Sequence, residues 1–246
     1  PQAPSARGLV RGSFNVGMHN EKLSALFTLA RCGLTSLKNA AGKEMLLQPP
    51  KLSLFRAPTD NDQGNRDSCR QAIWHVLSEH AFTEIEKVDV QEKQLTLVVR
   101  YSHPLLPGCD LHVTYVCEEA DSVKVTLDFP GAPGQSDLPA FGLSFLLDAS
   151  LTHVDYYGVG PMETYADRCS GGVLGRFHYE VQDNLVPYMK PQECGNRMGV
   201  RTLSVTDDQG AGVVVEAIDT PLEISVLPWT AEQLEAAGHY DELQAP

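Results

Sequence analysis

The feature that most constrains this chain is a run of strand-length segments in which apolar and polar residues alternate. In Ser122–Phe129, Val123, Val125, Leu127 and Phe129 oppose Ser122, Lys124, Thr126 and Asp128. In Leu111–Glu118, Val113, Tyr115 and Cys117 fall on one face, with His112, Thr114 and Val116 on the other. Period-two alternation is the mark of a sheet with one face solvated, and that points to antiparallel pairing. Leu95–Ser102, Phe141–Asp148, His153–Tyr157, Val173–His178, Arg201–Thr206, Gly212–Ala217 and Leu222–Leu227 extend the series. Turn-rich stretches such as Pro104–Asp110 and Pro130–Gly134 separate them, and Asp207–Gly210 reads as a hairpin connection. Between Val10 and Lys38 the chain reads as short strands, with Ser24–Arg31 the most continuous, a break at Gly33 and a turn at Ala40–Lys43. No repeat of solenoid or propeller period is present. The expected fold is all-β: a large antiparallel two-layer sandwich with one or two short helices.

Two helices are expected. Asp67 or Ser68 is positioned to cap the first, with Ile73, Val76, Leu77 and His80 on its buried face. His75 and His80 read as surface or packed helix histidines. Thr230-Ala231-Glu232-Gln233 is a capping box that opens the second, and Gly238 ends it. Residues 1–8, polar and proline-bearing, read as a linker.

A polar segment, Phe55-Arg56-Ala57-Pro58-Thr59-Asp60-Asn61-Asp62-Gln63-Gly64-Asn65-Arg66-Asp67, interrupts the first half. Pro58 lacks a ladder donor, so the segment reads as a long ordered loop, where sites tend to sit on a rigid scaffold. The simpler reading is a solvated turn held by Asx-type bonds. A calcium loop does not fit, because glycine stands at 64 where a ligand is needed and the closing glutamate is missing.

The run Phe55–Gly64 resembles the R-A-P-x-D-N-D-x-G loop in the C-terminal domain of β-galactosidases of glycoside hydrolase family two. Tyr156–Arg168, Pro187–Arg197 and Leu227–Leu234 agree with that family in order and spacing, so the resemblance covers roughly residues 8–246. It implies an extended two-layer supersandwich related in fold to galactose mutarotases, here a single domain over 9–246 cut short at its C-terminal end. It implies a domain that buttresses a catalytic (β/α)₈ barrel, or a separate large chain, in hydrolysis of β-galactosides. The loop residues Asp60, Asn61, Asp62, Gly64 and Asn65 are carried over as reaching the rim of the sugar site, with Gly64 the flexible point. No cofactor is implied within these residues, since the magnesium and sodium the family often uses belong to other domains.

Glu163 and Glu193, beside Tyr165 and Tyr188, are the carboxylates to weigh for glycoside hydrolysis, which needs two carboxyl groups about 5–5.5 Å apart for retention. Arg168 lies near Glu163 and Arg197 near Glu193 in sequence, with Asn196 beside the latter, so structural ion pairs are the simpler reading. The resemblance agrees, because the family's nucleophile and acid/base glutamates come from the barrel. The isolated chain is then expected to be inactive and to have no catalytic residue of its own. Nucleophile-elbow, phosphate-loop and dinucleotide patterns are all missing, and Gly158-Val159-Gly160 reads as a tight loop between strands.

A rival is a free-standing mutarotase-like sugar-binding or aldose-converting domain. Its acid would commonly be a histidine, and His153 and His178 lie nearest the motifs. The net charge of −13 opposes nucleic acid and anionic membranes. No CxxC pair occurs among Cys32, Cys69, Cys109, Cys117, Cys169 and Cys194, and no Cys/His grouping has zinc spacing. Reduced thiols and a cytoplasmic location are expected, with no secretory signal and no apolar run near the ~20 residues of a membrane helix. An unpaired sheet edge beyond the last strands would favour self-association.

Overall fold

A computed structural model describes residues 8–118 and 121–243. The fold is all-β, with antiparallel sheets and three short helices among the described residues. The chain divides into two compact units: residues 1–55 with 68–147, and residues 56–67 with 148–246. The linker expected at residues 1–8 lies outside the described residues except at Gly8, which instead opens the first strand.

In the first unit, β1 (Gly8–Arg11), β2 (Asn15–His19), β3 (Leu23–Thr28) and β4 (Gly33–Asn39) form one four-stranded sheet. The continuous run read at Ser24–Arg31 stops at Thr28, because Leu29–Arg31 form a 3₁₀ turn and Cys32 turns left-handed at φ 50° before Gly33 starts β4. The strand β5 (Lys51–Ser53) pairs elsewhere. A second sheet joins β6 (Phe82–Val90), β7 (Gln94–Ser102), β8 (Leu111–Glu118) and β9 (Val123–Asp128) in sequence order.

The alternation read from the sequence sets the packing of these sheets. Leu111, Val113, Tyr115 and Cys117 are buried along β8, while β9 alternates half-buried with exposed residues. The buried faces of both sheets meet in one core that includes Val16, Met18, Phe27, Leu97, Val99, Val113 and Tyr115. The Phe27 and Tyr115 rings lie 5.3 Å apart in a tilted pair. Side chains closed off from water this completely each contribute about 1.5–3 kcal/mol.

Three expectations for this unit are corrected. The edge strand β6 was not foreseen: its register shifts between Ile85 and Lys87, which breaks the alternation, and its exposed Glu84, Glu86 and Lys87 suit an edge that must not pair with another chain. The run Phe141–Asp148 yields β10 (Gly142–Ser144), paired with β5, and then a single bridge from Leu147 to Leu46. Helix Asp67–His80 buries Trp74 and Leu77, and His80 is exposed. Asp67 is its first residue and Ser68 its second, so neither is the cap. Trp74 fixes the true face, donating Nε1–H to Ser136 O and Oγ at 3.2 Å each. His75 stacks on Phe55 at 4.0 Å.

In the second unit, β11 (His153–Gly160), β12 (Val173–Glu180), β14 (Thr202–Thr206) and β15 (Gly212–Glu216) form a sheet in the order β12-β11-β14-β15. A pair of short strands, β13 (Arg197–Val200) and β16 (Leu222–Ile224), completes the unit. The first of these was not read from the sequence, and the second is shorter than Leu222–Leu227. Along β11, Val154 and Tyr156 are buried while His153 and Asp155 face the other way.

Gly158-Val159-Gly160 is not a loop but the end of β11. Its glycines make room: a Cβ at Gly158 would stand 2.8 Å from Val200 Cγ2, and one at Gly160 would stand 2.0 Å from Tyr156 Oη. The hairpin at Asp207–Gly210 forms as expected, with Asp207 N donating to Ala211 O. The capping box also forms, Thr230 and Gln233 bonding reciprocally, and helix Ala231–Ala236 ends at Ala237, one residue before Gly238. No described helix is long and apolar enough to cross a membrane.

Candidate functional site

The polar segment read as a loop is partly helical. Asp60–Gly64 form a short α-helix with Thr59 at its N-cap. The cap explains why so short a helix forms. Asp62 N donates to Thr59 Oγ1 at 3.2 Å, and Thr59 N donates back to Asp62 Oδ2 at 2.8 Å. Two otherwise orphaned donors are thereby satisfied together. Asp62 is buried, and both its oxygens accept from Arg56 Nη2 at 3.0 Å. The Nε of Arg56 is buried with no acceptor among the described residues.

A second clamp comes from Gln192 and Glu193. Asp60 N donates to Gln192 Oε1 at 3.0 Å, Gln192 Nε2 donates to Asp60 Oδ2 at 3.3 Å, and Glu193 N donates to Ala57 O at 3.1 Å. The base of the segment is therefore held at Ala57, Thr59, Asp60 and Asp62. Its tip differs: Asn61, Gln63, Gly64, Asn65 and Arg66 are exposed, and the side chains of Asn61, Gln63, Asn65 and Arg66 make no hydrogen bond among the described residues. Gly64 is not the left-handed point of this segment. Arg66 is, at φ 62°, and a Cβ at Gly64 would meet nothing within 4 Å.

Below the clamp, both oxygens of Glu163 are occupied. Oε1 accepts from Arg168 Nη2 at 2.5 Å, and Oε2 accepts from Gly195 N at 2.7 Å. The expected Glu163–Arg168 pair is thus present, and Arg168 also lies over the Tyr165 ring at 5.1 Å. The expected Glu193–Arg197 pair is not. Glu193 Oε1 instead accepts from Tyr165 Oη at 3.3 Å.

Burial raises the Glu193 carboxyl to about 7, opposed by Arg56 and by the Tyr165 and Ser225 hydroxyls. Burial likewise raises the Tyr165 phenol, with Glu193 adding to it. Arg197 turns away to donate Nε–H to Tyr156 Oη at 3.1 Å and Nη1–H to the Gly195 and Asn196 carbonyls, under Tyr179 at 5.0 Å. The left-handed Gly195 (φ 75°) separates the directions of Glu193 and Arg197. Asn196, buried, donates Nδ2–H to Thr164 O and Glu223 Oε2.

Of the residues singled out from the sequence, Asp60, Asp62, Glu163, Tyr165, Arg168, Glu193, Asn196 and Arg197 are all engaged in this framework, and Asn61, Gly64 and Asn65 form its free tip. Glu163 is held by a guanidinium and a backbone N–H, and Glu193 by the Tyr165 hydroxyl. The arrangement positions a segment and engages both carboxylates weighed for glycoside hydrolysis.

Gln192 was missed, although it stands in the recognised motif beside Glu193. Also missed was a cluster that could hold a cation: His153 and His178, with Glu180. Its signal is His-x-Asp at 153–155 and His-x-Glu at 178–180, spacings that put each pair on one face of a strand.

Residues 19–246 match the family described as "Beta galactosidase small chain". The chain is 37% identical to a β-galactosidase of Halalkalibacterium halodurans over 97% of its own length and 24% of that enzyme. It is 34% identical to one of Streptococcus thermophilus over 96% of this chain and 23% of the enzyme. It is also 28% identical to a "Beta-galactosidase small subunit" of Latilactobacillus sakei, covering 97% of this chain and 83% of that subunit. The chain therefore spans about a quarter of the length of the large enzymes it matches and most of the length of the small subunit.

Proposed function

The chain belongs to the β-galactosidase small-chain family, and from that premise we infer that it is the non-catalytic part of a β-galactosidase, working with a large chain or further domains that carry the chemistry. We place that enzyme in glycoside hydrolase family two, acting on β-galactosides with retention. In this reading the chain buttresses the catalytic barrel and sets Asp60–Asn65 at the rim of the sugar site. No cofactor is assigned to these residues, and the location proposed is cytoplasmic.

One observation carries the reading: the segment is clamped at its base and free at its tip. Asp62, Arg56, Gln192 and Glu193 hold the start of the helix through an ion pair and backbone bonds. Asn61, Gln63, Asn65 and Arg66 leave polar groups unspent. A rigid base with unpaired polar groups at the tip suits a segment that offers hydrogen bonds to something beyond this chain.

A chimaera tests this. The matching quarter of the Halalkalibacterium halodurans enzyme is replaced by this chain, and hydrolysis of a chromogenic β-galactoside is measured. Activity is expected in the chimaera and none in the isolated chain, and Asn61→Ala with Asn65→Ala should lower kcat/KM. A chimaera that folds by circular dichroism but is inactive, or whose activity ignores the tip substitutions, overturns the reading. So does turnover by the isolated chain.

A further inference from the structure

One group of titratable side chains lies outside the framework around Glu193. Antiparallel pairing of β11 with β12 sets His153 opposite Glu180 and Asp155 opposite His178. Residues two apart on a strand share a face, so all four side chains stand together on the outer side of the sheet. Asp208, just beyond β14, joins them. His153 Nδ1 lies 2.7 Å from Glu180 Oε1, and His178 Nε2 lies 3.2 Å from the same oxygen.

We propose that His153, His178 and Glu180 form a binding site for one divalent cation of the zinc class. The donor set makes the first argument. Two imidazoles and a carboxylate suit zinc, cobalt or nickel, whereas calcium and magnesium prefer oxygen alone. Geometry makes the second. The three donor atoms lie within 4.8 Å of one another. A tetrahedral zinc with bonds of about 2.0–2.1 Å needs its ligands roughly 3.3 Å apart, so the cluster needs only small side-chain adjustments.

The third argument is the support behind the two imidazoles. A metal-bound histidine almost always gives its other ring nitrogen to a carboxylate, a carbonyl or water, which fixes the tautomer and raises basicity. Both histidines have that partner. His153 Nε2 lies 2.9 Å from Asp208 Oδ1, and His178 Nδ1 lies 3.2 Å from Asp155 Oδ1. With both imidazoles neutral, the three carboxylates leave the cluster anionic, which a divalent cation offsets. Exposure of His178 and Asp155 leaves a fourth position open to water.

The competing account is a set of cross-strand ion pairs made by protonated histidines, worth little on a surface. Titration of the untagged full chain with Zn²⁺, followed by calorimetry and thermal melting, separates the two. One saturable Zn²⁺ per chain is expected, with a raised melting temperature for the second unit. Cobalt(II) should give tetrahedral visible bands without a thiolate charge-transfer band, which excludes the exposed Cys69 and Cys169 as ligands. His178→Ala should weaken Zn²⁺ binding at least 100-fold. Asp155→Asn, which touches no metal, should weaken it 10–100-fold. His239→Ala serves as the unaffected control.

Failure of the chain to bind Zn²⁺ saturably overturns the proposal. Binding that survives the paired His153→Ala and His178→Ala change does so as well. Displacement of Zn²⁺ by equal concentrations of Mg²⁺ refutes the assigned class.

Discussion

The buried carboxyl of Glu193 makes the stability of the second unit depend on pH. Its pKa rises from 4.5 in the unfolded chain to about 7 in the fold, mainly through burial. A group whose folded pKa is raised stabilises the fold fully below its unfolded pKa and loses that contribution as pH rises through the folded value. The native state therefore holds the extra proton between pH 4.5 and about 7. Stability should fall across that window by about 1.4 kcal/mol per pH unit. The total comes to roughly 2–3 kcal/mol once the part of the carboxyl open to water is discounted.

Glu193→Gln isolates this effect, because a glutamine stays neutral and still accepts from Tyr165 Oη. Urea unfolding followed by circular dichroism, from pH 5 to 8.5, gives the difference between the two proteins. Near pH 5 the two should agree within about 1 kcal/mol, and by pH 8.5 the variant should be more stable by roughly 2–3 kcal/mol. Other titrating groups cancel in the difference. A difference that stays flat across the range, or a variant that is less stable at high pH, refutes the argument.

Gly64→Ala should stabilise by roughly 0.5–1 kcal/mol in thermal melts, because the position is helical and open to solvent; a loss would mean the segment is not helical there. Gly195→Ala should cost roughly 2 kcal/mol or more in urea unfolding, since the backbone is left-handed and a Cβ would lie 2.5 Å from Asn184 Nδ2. Asp62→Ala removes one half of the capping box and leaves the Arg56 guanidinium without its carboxylate, so a loss of roughly 2–3 kcal/mol is expected in urea unfolding, against about 0.5 or less for Asn61→Ala.

The strands that could be read from the sequence are those whose alternation survives intact, such as β8 and β9. The β6 strand was hidden by its bulge and by an edge so charged that no apolar face emerges. The helix at Asp60–Gly64 escaped because five residues carry no periodicity, although Thr59-x-x-Asp62 already spelled a capping box. Proximity in sequence misled at Glu193 and Arg197, where one left-handed glycine sends the two side chains to different partners. The His153–Glu180 grouping depends on the β11–β12 register, which the 12 residues between the two strands do not reveal. The four motifs behind the family resemblance were legible because the order of residues in each is itself distinctive.

The second unit draws Arg56–Asp67 from the middle of the first unit's sequence. Asp60 and its partner Gln192 are 132 residues apart. At a synthesis rate of ~5–20 residues per second, the ribosome needs roughly 7–26 s to make the second after the first. Through that interval the nascent chain carries a proline-bearing strip held only by its own Arg56–Asp62 and Thr59–Asp62 bonds, while the flanking strands on either side of it become available to pair. Any attempt to make the two units separately meets the same difficulty: no single cut yields both, and a product ending at Leu147 would hold the strip without the glutamine that fastens it.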